Sequence, residues 1–357
     1  MNITFITPSF KLGGYERVVV NYANAFSKLD HNISILCGFE YGELLCQVNK
    51  NVHIVCLNAR IRSFIFPLIK YLNNNKIDIL YTPFATYTSV AIIARHFSNN
   101  DFVIYGSSHG YDEGSKLSNC IYGKILKRAD ILTGVTKDLC EFDSKKFNIP
   151  INKYYVFNNP VINSEIPVIK EFHNWFKDKE YPIICMAGRL DENKNYYLAL
   201  DIIKEVIKLK KIRLMIIGNG NELEKLKRKV NILEITEYVD FIGYVDNPLG
   251  YIKQCDIFLH TAKIESFGNV IVEALFCEKP IISTNCKGPE EILNNGQYGV
   301  LIGKYDDVDV VKNGVSAICN ILDGKIKFKN QRKKALEYDA KYLEKDFIQY
   351  VDIVNRS

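Results

Sequence analysis

Short β-branched runs alternate with amphipathic stretches along nearly the whole chain, and the alternation begins twice. In the first half, Ile3–Thr7, Ile33–Cys37, Val52–Leu57, Ile77–Tyr81, Phe102–Ser107, Ile131–Val135 and Tyr154–Phe157 read as strands. Amphipathic segments such as Tyr15–Leu29 and Ser63–Asn73 lie between them and read as helices. The pattern restarts with strands at Ile183–Ala187, Arg213–Ile217, Val239–Ile242, Ile257–Thr261, Pro280–Thr284 and Gly299–Ile302. Helices are expected over Asn195–Lys208, Leu223–Ile232, Val270–Phe276 and Val308–Leu322. Such alternation predicts βαβ units around parallel sheets. The expected fold class is α/β, with two Rossmann-like domains whose parallel sheets face a central cleft, where ligands meet the carboxyl ends of the strands. The break is placed at Asn158-Asn159-Pro160 through Lys179, a polar stretch holding the lone Trp175. The charged tail Gln331–Val354 reads as helix. The expected divisions are residues 1–165, residues 166–335, and a C-terminal helix within 336–357 that packs back on the first domain.

A length of 357 residues fits two domains better than a single core. With 47% hydrophobic and 24% charged residues the composition is that of a soluble globular protein. No apolar run approaches the roughly 18 residues of a transmembrane helix. Met1–Pro8 lacks a basic leader region and reads as the first strand, not as a signal peptide. The ten cysteines form no Cys-x-x-Cys pair and no Cys/His metal spacing, and most sit in apolar runs. They are expected to be buried, reduced thiols of a cytosolic protein, with neither zinc nor disulfides. A net charge of +5 suits anionic substrates or an anionic membrane surface. It does not argue for nucleic acid, and no nucleic-acid motif is present.

The candidate chemistry lies just after predicted strands. Gly13-Gly14 follows the first strand and opens a helix, so its amides can approach a phosphate, or it is a plain tight turn. It is not the Gly-x-Gly-x-x-Gly of a dinucleotide site, which disfavours nicotinamide. His109 follows the fifth strand, where it can contact a sugar or orient a hydroxyl, or act only as a solvated loop residue. His260, inside an apolar run, is read as structural. Arg189 and Lys194 follow the first strand of the second half. They can clamp a diphosphate and stabilise its charge on departure, or form a solvated basic loop. Glu265 and Glu273 are separated by seven residues. Between them the turn Ser266-Phe267-Gly268-Asn269 can aim amides at a phosphate, and Glu273 on the following helix can accept hydrogen bonds from a ribose diol. The bland alternative is two surface glutamates on an amphipathic helix. Gly218-Asn219-Gly220 and Gly243-Tyr244 either border a nucleobase or merely allow turns.

Taken in order, these segments resemble the family-four, or group-one, glycosyltransferases of GT-B fold. The resemblance spans nearly the whole chain: Gly13-Gly14-Tyr15-Glu16-Arg17, Ser107-Ser108-His109, Asn158-Asn159-Pro160, Gly188-Arg189-Leu190 with Lys194-Asn195, Glu265 through Leu275, and Gly288-Pro289-Glu290-Glu291-Ile292. It implies a retaining transfer from a nucleotide-diphosphate sugar, UDP-linked in preference to GDP-linked, with no metal required. It further implies that Arg189 and Lys194 hold the donor diphosphate, helped by Gly14 and the amides near Gly268. Glu273 would bind ribose, Glu265 would lie near the sugar ring, and His109 would contact the sugar on the acceptor side. A same-face mechanism, in which the leaving phosphate oxygen takes the acceptor's proton, needs cationic stabilisation more than a general base. A covalent route through Glu265 is the alternative. Tyr15 replaces a residue that is often small in relatives, and is expected to crowd the phosphate or stack on the sugar.

Relatives of this type extend lipid-linked or lipopolysaccharide sugars at the inner face of a bacterial membrane. The implied activity is thus transfer of a hexose or N-acetylhexosamine to a saccharide or lipid-linked acceptor in glycan, lipopolysaccharide or capsule assembly. The protein would be cytoplasmic, with peripheral contact to anionic membrane through Arg60–Lys70 and Lys116–Arg128. Ordinary helices with solvated lysines explain those two segments as well. A non-catalytic sugar-nucleotide-binding protein on the same fold is the alternative function. The intact set Arg189, Lys194, Glu265 and Glu273 weighs against it.

Overall fold

The computed structural model describes residues 1–29, 31–162, 173–178 and 180–355, which form two compact units. The first comprises Met1–Asn163 with Tyr338–Ser357, and the second Ser164–Glu337. The polar break expected across 158–179, and a boundary at 165/166, fall largely or wholly outside the described residues.

The first unit runs β1 (Asn2–Thr7), α1 (Gly14–Phe26), β2 (Asn32–Cys37), β3 (His53–Cys56), α2 (Ile65–Asn74), β4 (Ile79–Pro83), α3 (Phe84–His96), β5 (Val103–Ser108), α4 (Lys116–Leu126), β6 (Ile131–Gly134), α5 (Lys137–Phe147) and β7 (Tyr154–Val156). Its seven strands lie in the order β3-β2-β1-β4-β5-β6-β7. Every pairing is parallel. Alternation along each strand splits the apolar residues between two layers. Ile3, Phe5, Ile33, Ile35, Ile79, Tyr81 and Tyr105 share one core with α1 residues Val19, Tyr22 and Phe26. Ile6, Leu36, Leu80, Ile104 and Leu132 join the other, with Leu68, Leu72, Ala91 and Leu126 from the opposite helices. This double burial is why the strands read as nearly continuous apolar runs.

The second unit runs α6 (Asn174–Asp178), β8 (Ile183–Ala187), α7 (Tyr196–Ile207), β9 (Arg213–Ile217), α8 (Leu223–Ile232), β10 (Val239–Gly243), α9 (Leu249–Gln254), β11 (Ile257–His260), α10 (Asn269–Phe276), β12 (Ile281–Ser283), α11 (Lys287–Ile292), β13 (Val300–Leu301), α12 (Val310–Leu322) and α13 (Gln331–Leu336). Its six parallel strands are ordered β10-β9-β8-β11-β12-β13. The fold class is therefore the expected one: two Rossmann-like α/β units with parallel sheets.

In both sheets the chain first winds outward in one direction and then restarts on the other side of its first strand. The reversals fall between β1 and β4, and between β8 and β11. In open α/β sheets ligands bind outside the strand carboxyl ends at such switch points.

Two expectations need correction. The tail is not one helix. It breaks between α13 and α14 (Ala340–Asn355), because the Tyr338 carbonyl accepts from the Val161 and Ile162 amides instead of continuing a helical ladder. Nor are all the thiols buried: Cys46, in the turn Glu43–Gln47, and Cys120, on the solvent face of α4 with Lys116, Leu117 and Lys124, are exposed, whereas Cys37, Cys140, Cys185, Cys255, Cys277 and Cys286 are buried.

Candidate functional site

In the second unit the switch point gathers four of the singled-out side chains. The loop after β8 turns at Asp191, whose carboxylate accepts from the Lys194 amide at 3.1 Å and from Arg189 Nε at 2.7 Å. The Arg189 side chain stays 69% exposed, so its remaining guanidinium donors face outward. The chain then passes through Asn195 in the left-handed region (φ 50°) and enters α7. The loop after β11 is stitched to this turn. Thr261 Oγ1 donates to the carbonyls of Lys194 and Asn195, the Lys263 amide donates to the Asn193 carbonyl, and Asn193 Nδ2 donates to the Ile264 carbonyl.

That stitching brings Lys194 Nζ onto Glu265 Oε2 as a half-buried ion pair, with the two side chains 23% and 15% exposed. His260 Nε2 reaches the same oxygen at 3.3 Å, and its Nδ1 lies 3.2 Å from Ser283 Oγ. Burial by itself would raise the Glu265 carboxyl. The Lys194 ammonium and the His260 contact outweigh it and hold the group at about 2. Burial lowers His260, so the imidazole is neutral at pH 7. An ionised carboxylate only accepts, so the neutral ring carries its proton on Nε2, facing Glu265. His260, read from the sequence as structural, is thus a direct partner of Glu265. Only its place at the end of β11, five residues before Glu265, hinted at this.

Gly268 caps α10 with φ 105°, a conformation that only glycine adopts easily. A Cβ there would lie 3.4 Å from Glu265 Cγ and 3.2 Å from Ile271 Cδ1, so the turn packs against the Glu265 side chain. The Gly288 amide donates to the Glu265 carbonyl, and a Gly288 Cβ would meet the Phe267 carbonyl oxygen at 2.3 Å. The Gly288–Ile292 motif therefore supports the 265–268 turn from behind. Phe267 is buried, while Ser266 and Asn269 are half-buried at the mouth of α10. Glu273 lies half-buried one turn into that helix. Gly218 and Gly220 serve packing: their Cβ atoms would strike the Gly188 and Leu190 carbonyls at 1.9 and 2.2 Å.

The first unit places Gly13, Gly14 and His109 after β1 and β5. The Glu16 carboxylate folds over Gly13, whereas a Cβ at Gly14 would meet nothing within 4 Å. Tyr15, expected to crowd the phosphate or stack on the sugar, is packed into the core instead. It is 5% exposed, its hydroxyl donates to the Ile6 carbonyl, and its ring meets His109 edge-on at 4.7 Å. The Ser107 and Tyr81 hydroxyls lie 2.9 and 3.2 Å from His109 Nε2. Burial among these groups pushes the His109 imidazolium down to about 3, against a smaller opposing hydrogen bond with Asn159. His109 is therefore a neutral hydrogen-bonding group at any ordinary pH. Among the described residues no group of three or more His, Cys, Asp or Glu is placed to hold a metal ion. No helix among them is long and apolar enough to cross a membrane.

Two Rossmann-like units with parallel sheets of seven and six strands are the architecture of the GT-B fold. The chain belongs to the group-one, family-four glycosyltransferases: the family model described as glycosyltransferase family 4 matches residues 12–164, and that of glycosyl transferases group 1 matches residues 168–335. It is 31% identical over 210 residues to an uncharacterized glycosyltransferase of Methanocaldococcus jannaschii, covering 55% of this chain and about half (51%) of that protein. It is 24% identical to an undecaprenol-diphosphate-linked GalNAc α-1,4-N-acetyl-D-galactosaminyltransferase of Campylobacter jejuni, covering 98% of both chains. The structure of HepE from Anabaena in complex with UDP superposes with a TM-score of 0.79 at 16% identity, covering 99% of this chain and 100% of that one.

Proposed function

We propose that the protein is a retaining glycosyltransferase that uses a uridine-diphosphate sugar and needs no metal. It moves a hexose or N-acetylhexosamine to a saccharide or lipid-linked saccharide acceptor in bacterial glycan assembly. The observation that carries this reading is the convergence of Arg189, Lys194 and Glu265 at the β8/β11 switch point, beside the amino end of α10. Arg189 presents outward donors that suit a diphosphate, and Lys194 is a second cation held ready by Glu265. The Gly268–Asn269 turn aims amides in the direction an anion would occupy, and Glu273 is the ribose ligand. Two cations beside a leaving diphosphate stabilise the charge that develops as the glycosidic bond breaks. Glu265 near 2 stays ionised, which suits electrostatic support of a sugar cation. His109 held neutral suits orientation of a sugar hydroxyl, not proton abstraction. UDP in the structural neighbour and the lipid-linked acceptor of the Campylobacter relative favour the same donor and acceptor classes.

Peripheral membrane contact belongs to this reading. On α4, Leu117 and Ile121 are 74% and 50% exposed one turn apart, among the exposed Lys116, Lys124, Lys127 and Arg128. On α2, Phe66 is 77% exposed, with Lys70 on the same helix and Arg60 and Arg62 just before it. Co-sedimentation with anionic but not neutral vesicles is the expected result.

The direct test is thermal stabilisation and slow hydrolysis across a panel of nucleotide sugars without added metal. One UDP-sugar should stabilise the protein and turn over. Lys194→Ala and Glu273→Ala should weaken donor binding, and His109→Ala should reduce transfer with less effect on donor binding. Wild-type turnover by Lys194→Ala would remove the diphosphate assignment.

A further inference from the structure

Phe84 is the first residue after β4, at the switch point of the first sheet, and its backbone is left-handed (φ 53°). A bulky side chain in that region carries a steric cost, and such residues persist where the surroundings or a function demand them. The other non-glycine residues with positive φ among those described are asparagines and glutamates, and Phe84 is the one aromatic. Burial does not repay the cost, because Phe84 remains 40% exposed. Its ring instead lies against two fixed neighbours. The Tyr15 centroid is 5.3 Å away and that of His109 6.4 Å. Tyr15 is tethered beneath through its hydroxyl to the Ile6 carbonyl, and His109 is held by Ser107 and Tyr81. The backbone next to those two neighbours has room: a Cβ at Gly14, which precedes Tyr15, or at Gly110, which follows His109, would meet nothing within 4 Å.

We propose that Phe84, backed by Tyr15 and His109, is a stacking platform for the apolar face of a pyranose ring. A pyranose presents C–H bonds on its faces and hydroxyls around its edge. A partly exposed ring on a rigid floor buries the face, and the clearance at Gly14 and Gly110 leaves room for the hydroxyl rim and its water. A single ring is too small for a protein partner, and its place at the switch point is that of a small ligand. The proposal rests on the glycosyltransferase reading and adds a subsite to it. The pyranose comes either from the acceptor or from the donor hexose.

The test uses the full chain with Phe84→Asn, which tolerates the left-handed backbone without the ring, Phe84→Leu, which keeps apolar bulk, and Phe84→Tyr, which keeps the aromatic face. Binding of methyl α-glucoside, methyl α-galactoside and methyl α-N-acetylgalactosaminide is followed by ligand-observed NMR. UDP affinity and the KM for UDP-glucose hydrolysis are measured beside it. The Asn and Leu variants should weaken one saccharide readout by about tenfold, while UDP affinity is unchanged and the Tyr variant stays near wild type. Loss of glycoside binding identifies the acceptor as the source, and a raised KM for UDP-glucose identifies the donor hexose. Folded Asn and Leu variants with both readouts unchanged would overturn the platform, as would a Tyr variant as impaired as they are, or a wild type that engages neither probe. Glycoside binding that depends on Phe84 in a protein blind to UDP would instead keep the platform and sink the transferase reading.

Discussion

Lys194 and Glu265 are bound to each other more tightly than two glutamates and a basic loop in the sequence could suggest. Each was legible as a candidate because it follows a strand, but their pairing was not. It depends on Thr261, Lys263 and Asn193 folding two loops together over 60 residues apart in sequence. The pair has a measurable signature. With its carboxyl held at about 2, below the unfolded value near 4.5, Glu265 contributes stability that is present above pH 4.5 and lost as pH falls toward 2. Lys194→Met reverses the sign, because burial then raises the carboxyl above its unfolded value. That variant should lose roughly 3 kcal/mol at pH 8 and recover part of it at pH 5, where Glu265 takes a proton. Urea unfolding at the two pH values measures this, and an equal loss at both would show that Glu265 is not buried with its partner. The histidines add a second slope. His109, lowered to about 3, and His260, also lowered, are neutral in the fold while the unfolded chain takes up protons below about 6.5. Stability is therefore complete above that value and falls as the medium acidifies, by up to ~1.4 kcal/mol per pH unit for each histidine. His109→Gln should remove one such slope between pH 6 and 4.5. An unchanged slope would mean that His109 titrates normally in the folded protein.

All thirteen strands among the described residues were legible: the central ones, buried on both faces, write themselves as short apolar β-branched runs, and the half-buried edge strands β3, β7, β10 and β13 still carry short apolar runs. Helix ends were less so, and the tail shows why. Nothing in the composition of 331–354 marks a break, since the break is made by Tyr338 bonding to the distant Val161 and Ile162. The helix that follows belongs to the first core. On α14 Phe347 is fully buried, 4.7 Å from the Tyr105 ring and 5.3 Å from Phe26, and Leu343 and Val351 join the same cluster one turn to either side. The hydroxyl of Tyr350 donates to the Val156 carbonyl at the edge strand β7. A cavity of phenylalanine size in this stack costs about 3–5 kcal/mol. Phe347→Ala should therefore lower the unfolding free energy of the first unit by that amount, read as a lower denaturation midpoint at an unchanged slope. A loss under about 1 kcal/mol would show that the helix docks only loosely.

The two sheets repeat one design at the scale of the whole molecule: three strands wound one way, a restart beside the first strand, and polar or aromatic residues at the restart. The doubled pattern was visible in the sequence, and with it the class of fold. The restart was not, because strand order is set by which edge each crossover chooses and leaves no mark in hydropathy. That is why Phe84 escaped notice: Pro83-Phe84 after a strand looks like an ordinary turn until β4 is seen beside β1 and the phenylalanine is seen in a left-handed conformation. The proposed function places different ligands at the two restarts, and hydrogen exchange can separate them. Ligand that binds only the folded state at a hundred times its Kd stabilises it by about 2.7 kcal/mol, and amides nearest the site gain protection first. UDP should protect the turns over 188–195 and 261–269 in the second unit, which carry the cations and the α10 entrance. If UDP instead protects 13–15 and 107–110 and leaves 188–195 exchanging as before, the nucleotide belongs to the first sheet and the roles assigned to Arg189, Lys194 and Glu273 fall together.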